Sequence, residues 1–283
     1  MREILSEEKE GISIKLKIFY IAIIVICIIS VIVAVIMQAK TDEEKVQTPI
    51  SKVEEDQIST YQEEFDSIFE NKVNYMENNS YKITKYKEDE EIVCIGYQLK
   101  ESKINDYELD VNIPYINIVN ETTQKFNQQI KETFEQKARS VVNSQGNNVI
   151  YTVNYSAYVT NNILSLVVRS TLREGNNPQR DIVQTYNYDL ANKKEFTMDQ
   201  FLEIKNVSKQ EANKRIKEEI EKVQKQVEQL RELGYNVYTR NPDDDMYSIN
   251  NVTEYFIGRD NALYIIFAYG NENNTNEMDI VVI

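Results

Sequence analysis

The chain has 283 residues, of which 46 are acidic and 32 basic, so its formal net charge is −14. It contains no histidine, which excludes Ser–His and Cys–His catalytic groups, histidine-ligated zinc and histidine-ligated haem. The acidic balance argues against nucleic acid as a partner, because its phosphates would be repelled. The function classes that remain are catalysis by carboxyl groups, catalysis by a thiol, and binding without catalysis.

Residues 18–37 form an uncharged apolar run of 20 residues. As a helix this run spans about 30 Å, the thickness of the hydrocarbon core of a bilayer. A cleaved signal peptide would have a shorter apolar region and a better cleavage site. Lys15 and Lys17 lie just before the run. The sequence therefore predicts a cytoplasmic tail over residues 1–17 and an uncleaved transmembrane helix over residues 18–38 of a single-pass cell-membrane protein, with the C-terminal domains extracytoplasmic.

A polar linker and an amphipathic juxtamembrane helix are predicted over residues 39–79. Within residues 53–76, apolar side chains recur three or four positions apart, which is typical of a helix with one apolar face. These side chains are Ile58, Tyr61, Phe65, Ile68 and Tyr75. Such a helix could be a dimerising stalk or could pack on the domain that follows. The second interpretation is favoured, because two or three heptads are too few to define a coiled coil.

A first extracytoplasmic domain is predicted over residues 80–198, and it begins with strands and a helix. Apolar and polar residues alternate over residues 93–99 and 109–113, which predicts two β-strands. Between Glu121 and Val142, apolar residues recur every four positions and predict a helix. These residues are Phe126, Ile130, Phe134 and Ala138.

Three further strands follow this helix, over residues 149–159, 163–172 and 182–190. The connection after the first is Asn161-Asn162, and the second connection contains Gly175. Short connections rich in asparagine and glycine are typical of β-turns. The sequence therefore predicts an antiparallel meander with the preceding helix covering one face.

A second helix is predicted next. Ser208 and Glu211 have the spacing of a capping box at its start, and Gly234 marks its end. An apolar stripe runs along it and comprises Ile216, Ile220, Val223, Val227 and Leu230. Such a stripe could contact a coiled-coil partner, but a single stripe between strands favours packing on the protein's own sheet.

Strands over residues 262–269 and 278–283 complete a second extracytoplasmic domain, predicted over residues 199–283. The predicted fold class is α+β. An antiparallel meander sheet is covered by helices, and two consecutive helix-plus-strand units follow a single N-terminal transmembrane helix in the sequence.

Outside the membrane anchor the only cysteine is Cys94, so no internal disulfide can form. Asp243, Asp244 and Asp245 lack the spacing of a calcium-binding loop and are interpreted as a solvated loop. No cofactor, metal site or catalytic residue is predicted.

Two parts of the chain resemble a known family. One comprises residues 186–190 (YNYDL) and 196–201 (FTMDQF), and the other comprises residues 255–257 and 260–267. Together they resemble the paired extracytoplasmic domains of unknown function found in RsiV-type anti-sigma factors and in PdaC-type peptidoglycan deacetylases. The resemblance covers about residues 80–283.

The resemblance implies an α+β envelope domain on a single anchor, with no enzymatic activity of its own. In the anti-sigma members this domain captures lysozyme, and a cytoplasmic tail sequesters an extracytoplasmic-function sigma factor. By alignment with the family's terminal motif, the partner-binding residues here would be Tyr269, as an aromatic anchor, and Glu272, as a rim charge. In the alternative interpretation Tyr269 is an ordinary strand residue and residues 270–275 are a plain hairpin connection.

We therefore expect a non-enzymatic, membrane-anchored extracytoplasmic ligand-binding or sensor protein of the bacterial cell envelope. Its expected partner is a lysozyme-like cationic protein, which an acidic surface would attract, or peptidoglycan. An anti-sigma factor is the alternative, although 17 cytoplasmic residues are few for an interface of about 800 Å² per partner. A carboxylate-based cell-wall hydrolase is a remote alternative, since no motif supports it.

Overall fold

The computed structural model describes four stretches of the chain, residues 64–76, 81–143, 148–268 and 277–283. The predicted cytoplasmic tail, the membrane anchor and most of the linker lie outside these residues. Within them, no helix is both long and apolar enough to cross a membrane. The described residues belong to one compact unit, and the domain boundary predicted after residue 198 stays a prediction.

In the described residues, ten strands form two sheets. The larger sheet contains β1 (Val73–Tyr75), β2 (Val93–Lys103), β3 (Tyr107–Ile116), β4 (Val149–Thr160), β5 (Ile163–Glu174), β6 (Arg180–Asp189) and β7 (Lys194–Glu195). The smaller sheet contains β8 (Glu254–Ile257), β9 (Leu263–Ala268) and β10 (Met278–Val282). Strand order is β2-β3-β4-β5-β6-β7 in the larger sheet, with β1 also paired to β4, and β10-β9-β8 in the smaller one.

Strands β4, β5 and β6 form the antiparallel meander that the sequence predicted. Asn161 and Asn162 turn β4 into β5 with φ angles of 50° and 62°, left-handed values that asparagine tolerates better than most residues. Gly175 has a φ of 60° in the connection to β6. The predicted α+β class, with a large sheet rich in antiparallel pairs, is confirmed.

The segment before β2 departs from the prediction. Helical residues 64–67 are followed by a non-helical stretch and by strand β1, so the helix predicted through residue 76 is wrong from residue 68 onward. Asn71 has a φ of 55°, which an α-helix does not allow. Its N–H donates to Tyr155 O at 2.8 Å, and its Oδ1 accepts from Tyr155 N at 3.0 Å. Tertiary pairing with β4 therefore overrides the helical periodicity here.

A long helix covers one face of the larger sheet, as predicted. It consists of α1 (Glu121–Ile130), a π-helical segment (Lys131–Glu135) and α2 (Gln136–Asn143). The Asn120 side chain caps its start by accepting from Thr122 N at 2.8 Å. All four residues of the predicted apolar stripe are buried against the sheet: Phe126, Ile130, Phe134 and Ala138. The π-helical segment was not predicted.

Two more helices, α3 (Met198–Lys205) and α4 (Lys209–Glu232), cover the outer face of the smaller sheet. The Ser208 hydroxyl starts α4 by accepting from Glu211 N at 3.1 Å, which confirms the predicted cap. Gly234 lies just beyond the end of α4 with a φ of 90°, a conformation that glycine adopts without steric cost.

The apolar stripe of α4 packs on the protein's own sheet, as predicted. Ile216 and Ile220 are fully buried in a core shared with β8, β9 and β10. Towards the end of the helix Leu230 is 41% exposed. The helix therefore contacts the sheet mainly through its first half.

A third apolar core lies between the two sheets, in addition to those under the long helix and under α4. It comprises Phe65, Ile68, Tyr158, Val167, Val183, Phe256, Tyr264, Ile266 and Met278. Side chains alternate between the two faces of each strand, so β9 sends Ile265 to α4 and Ile266 to the larger sheet. The described fold thus has four layers: helix, larger sheet, smaller sheet and helix.

Polar side chains of the larger sheet pair with the backbone of β8, on the side away from β9. Tyr255 N donates to Thr185 Oγ1 at 3.0 Å, and Tyr255 O accepts from Asn187 Nδ2 at 2.7 Å. Ile257 N donates to Ser165 Oγ at 3.2 Å. Ser165 in turn donates to Asn187 Oδ1 at 2.7 Å. We call Ser165, Thr185 and Asn187 the polar bridge between the sheets.

An Ile220→Ala variant should lose about 2–5 kcal/mol of unfolding free energy, because it removes apolar contacts and leaves a cavity in the core. The measurement is urea unfolding of the purified chain in detergent, followed by tyrosine fluorescence. Leu233→Ala is the matched control, since Leu233 is 75% exposed, and it should change the midpoint little. An unchanged midpoint for Ile220→Ala would show that this face of α4 is not part of the core.

An Asn187→Ala variant should lose about 1–3 kcal/mol of unfolding free energy. The reason is that Tyr255 O and the Ser165 hydroxyl would each be left buried without the Asn187 amide as a hydrogen-bond partner. The same urea experiment measures the loss, with the exposed turn residue Asn176, changed to alanine, as control. Equal stability of both variants would mean that the polar bridge does not contribute to the association of the sheets.

Candidate ligand-binding site

A cleft of about 340 Å³ opens where α1 and the π-helical segment meet strands β6 and β8. We call it the Glu254 cleft. Its lining comprises Phe126, Gln129, Glu132, Thr133, Gln184, Thr185, Tyr186, Asn187, Glu195, Thr253, Glu254 and Tyr255.

The π-helical segment places two residues, Glu132 and Thr133, in this lining. Its hydrogen bonding is that of a π-helix, since Gln136 N donates to Lys131 O five residues earlier. Single π-helical turns inside α-helices are frequent at functional sites. The wider turn changes which side chains face the cleft, relative to an uninterrupted α-helix.

An aromatic pair forms one wall of the cleft. The rings of Phe126 and Tyr186 lie 5.2 Å apart, with an interplanar angle of 53°. The Tyr186 hydroxyl donates to Gln184 Oε1 at 2.6 Å. Burial raises the pKa of Tyr186 well above its usual range, so this phenol stays neutral and serves as a hydrogen-bonding group.

Glu254 is fixed by strand β6. Its Oε2 accepts from Thr185 N at 2.6 Å and from Thr185 Oγ1 at 3.0 Å. Burial raises the pKa of Glu254 to about 7, although the two hydrogen bonds from Thr185 act in the opposite direction. The carboxyl group therefore gains and loses its proton near neutral pH, at a position that Thr185 holds constant.

The cleft offers a ligand hydrogen-bond acceptors and negative charge. Glu132, Glu195 and Glu254 contribute carboxyl groups, and the described residues that line the cleft include no lysine or arginine. Such a cleft suits a ligand that donates hydrogen bonds or carries positive charge.

The site residues predicted from the sequence, Tyr269 and Glu272, lie outside the described residues. Strands β9 and β10 are paired on either side of them, Ala268 with Met278. The assignment of Tyr269 and Glu272 to partner binding stays a prediction. Glu254 was not singled out from the sequence, because one glutamate among 46 acidic residues carries no local signal.

The Asp243–Asp245 region makes local contacts. Asp244 Oδ1 accepts from Met246 N at 3.0 Å, at the start of a short 3₁₀ turn. Asp243 forms an exposed ion pair with Lys217. Cys94, the other residue discussed from the sequence, is a buried free thiol, and burial raises its pKa.

No protein-family model and no curated protein matches the chain. Two solved structures similar to it are DUF3298 family proteins, from Pseudomonas aeruginosa PAO1 and from Bacteroides fragilis NCTC 9343. The first has 8% sequence identity and a TM-score of 0.40, over 72% of this chain and 90% of that chain. The second has 12% identity and a TM-score of 0.31, over 62% and 81%. These values are too low to transfer a site or a function.

A Glu254→Gln variant should lack the part of the pH dependence of stability that comes from the Glu254 carboxyl group. In the folded protein the Glu254 pKa is raised from 4.5 to about 7, so between these pH values the folded state binds more protons than the unfolded state. The contribution of Glu254 to the stability of the folded state is therefore present below pH 4.5 and is lost as the pH rises through 7. Glutamine keeps a hydrogen-bond acceptor for Thr185 but carries no charge.

The measurement is urea unfolding of both proteins at pH 5 and pH 8. From pH 5 to pH 8, the unfolding free energy of the variant should rise by up to about 3 kcal/mol relative to that of wild type. A stability difference that does not change with pH would contradict the raised pKa.

Proposed function

We propose that this chain is a non-enzymatic, membrane-anchored binding or sensor protein of the bacterial cell envelope, and that the Glu254 cleft binds a cationic group of its ligand. One observation carries the proposal: Glu132, Glu195 and Glu254 line a single cleft whose described lining includes no lysine or arginine. A cationic group in the cleft would form charge-assisted hydrogen bonds with these carboxylates.

The walls of the cleft support the same ligand chemistry. Phe126 and Tyr186 line the cleft, and aromatic rings attract cations electrostatically. The amide groups of Gln129 and Gln184 add hydrogen-bonding capacity. Thr185 fixes Glu254 in advance, so little side-chain freedom is lost when a ligand binds.

Binding is a better account of Glu254 than catalysis. A catalytic carboxyl group must transfer a proton to or from a substrate or attack it. Here one oxygen of Glu254 is committed to two hydrogen bonds from Thr185. A binding role requires neither step, only a carboxyl group that is held in place.

The envelope location rests on the sequence. The apolar run over residues 18–37, with Lys15 and Lys17 before it, supports a single anchor with a cytoplasmic N-terminus. The resemblance to RsiV-type and PdaC-type domain pairs supports an extracytoplasmic role and a lysozyme-like or cell-wall ligand. The net charge of −14 would speed the encounter with a cationic protein. Tyr269 and Glu272 are further proposed contacts for such a partner.

Calorimetry of the full chain in nanodiscs, titrated with lysozyme or with soluble peptidoglycan fragments, tests the proposal. A specific complex with lysozyme, of about 1 μM affinity, would be visible at tens of micromolar protein. The double variant Glu132→Gln, Glu195→Gln should weaken binding about tenfold or more, because two charge-assisted contacts are removed.

The matched control is the double variant Glu203→Gln, Glu232→Gln, which makes the same change in net charge at two exposed positions outside the cleft. It should bind like wild type. An equal loss in both double variants would assign the effect to overall charge. No binding of either ligand by the wild-type chain would overturn the proposal.

A further inference from the structure

A second groove, of about 260 Å³, lies on the opposite side of α1, between this helix and the β2–β3 hairpin. We call it the tyrosine groove. It is lined by Gly96, Tyr97, Ile113, Pro114, Tyr115, Gln124, Asn127, Gln128, Ile130, Lys131 and Glu135. It shares no lining residue with the Glu254 cleft.

The strand side of the groove is aromatic and apolar. Tyr97 and Tyr115 are both partly exposed, and neither hydroxyl has a hydrogen-bond partner among the described residues. The Tyr86 ring lies 6.1 Å from that of Tyr115 and extends the aromatic surface. A pyranose ring has an apolar face of C–H groups that packs on an aromatic ring, while its hydroxyl groups need hydrogen-bond partners such as these phenols.

The groove is held open by local structure. Strand β2 has a bulge between Ile95 and Tyr97, and Gly96 occupies it. A Cβ atom at Gly96 would lie 2.8 Å from Tyr115 Cβ, so a larger residue would displace Tyr115. On the other side, Asn127 bonds to both backbone groups of Ile116, accepting at 2.7 Å and donating at 2.9 Å. These bonds set the distance between α1 and β3, so the groove is preformed.

The helix side of the groove supplies polar groups and a positive charge. Gln124 and Gln128 line it; Gln124 Nε2 donates to the Tyr86 hydroxyl and Gln128 Nε2 to Glu132 Oε1, each at 2.5 Å, and the amide oxygens are the acceptors that these residues offer. Glu135 is paired with Arg139 at 2.7 Å, and the Arg139 guanidinium stacks over the Tyr97 ring at 4.7 Å. Lys131 has no ion-pair partner among the described residues. The one uncompensated charge in the described lining is therefore an ammonium group.

The geometry points to a binding site for an acidic sugar, a pyranose ring that bears a carboxylate. The ring would stack on Tyr115, its hydroxyl groups would bond to the phenols and to the side-chain carbonyl oxygens of Gln124 and Gln128, and its carboxylate would pair with Lys131. A neutral sugar would leave Lys131 unpaired, whereas a carboxylate matches it. This site is separate from the Glu254 cleft and does not rest on the function proposed for it.

Two probes that differ only in the carboxylate test this site: methyl β-D-glucuronide and methyl β-D-glucoside. Each is titrated into the full chain in nanodiscs and followed by saturation-transfer NMR, which detects weak complexes. The glucuronide should bind about tenfold more tightly than the glucoside, because it adds one charge-assisted contact. Lys131→Gln should abolish this difference without changing the affinity for the glucoside.

Tyr115→Leu should weaken both sugars, because the stacking surface is lost. Tyr235→Leu and Lys225→Gln are the controls, as both residues are exposed and lie outside the groove; they should change neither affinity. If Tyr115→Leu does not fold, the comparison of Lys131→Gln with Lys225→Gln still decides. Glu195→Gln, which changes a residue of the Glu254 cleft that contacts no described lining residue of the groove, should bind the glucuronide like wild type, so failure of the Glu254 cleft as a site leaves this test intact.

No saturable binding of the glucuronide, equal binding of the two sugars by wild type, or equal loss in the two lysine variants would each overturn the proposal.

Discussion

The fold depends on how the backbone of β8 is satisfied on the side away from β9. Backbone N–H and C=O groups that are buried without partners are costly, and no strand of the described residues pairs with that side of β8. Ser165, Thr185 and Asn187 supply the missing partners from the face of the larger sheet. Apolar residues at these positions could fill the same space but would leave Tyr255 and Ile257 unpaired. The polar bridge therefore requires the two sheets to meet in one register.

The Glu254 cleft follows from that register. Thr185 accepts from Tyr255 N with its hydroxyl oxygen and donates its own backbone N–H to Glu254 Oε2. The residue that holds the smaller sheet against the larger one thus also orients the carboxyl group of the cleft. Burial at this junction is what raises the pKa of Glu254. The electrostatics of the cleft and the association of the sheets therefore have one structural cause.

Periodicity predicted the elements whose signal is local. The stripe from Phe126 to Ala138 and the alternation along β4 are repeated often enough to identify a helix and a strand, and Ser208 marks the start of α4. Strand β1 has only three residues, too few for an alternating pattern, and its pairing with β4 spans 84 residues of chain, as between Val73 and Ala157. The polar bridge, the π-helical segment and both clefts likewise arise from contacts between distant residues, which a single sequence does not encode locally.

The long helix separates two surfaces of opposite character. Lys131 lines the tyrosine groove and Glu132 lines the Glu254 cleft, although they are consecutive residues of the π-helical segment. Successive residues of a helix are rotated about its axis, so this turn presents a cation to β2 and β3 and an anion to β6 and β8. Asn127 fixes the distance from α1 to β3, and the contact of Phe126 with Tyr186 fixes its position over β6. These contacts hold the helix in one position between the two clefts, so the same packing shapes both of them.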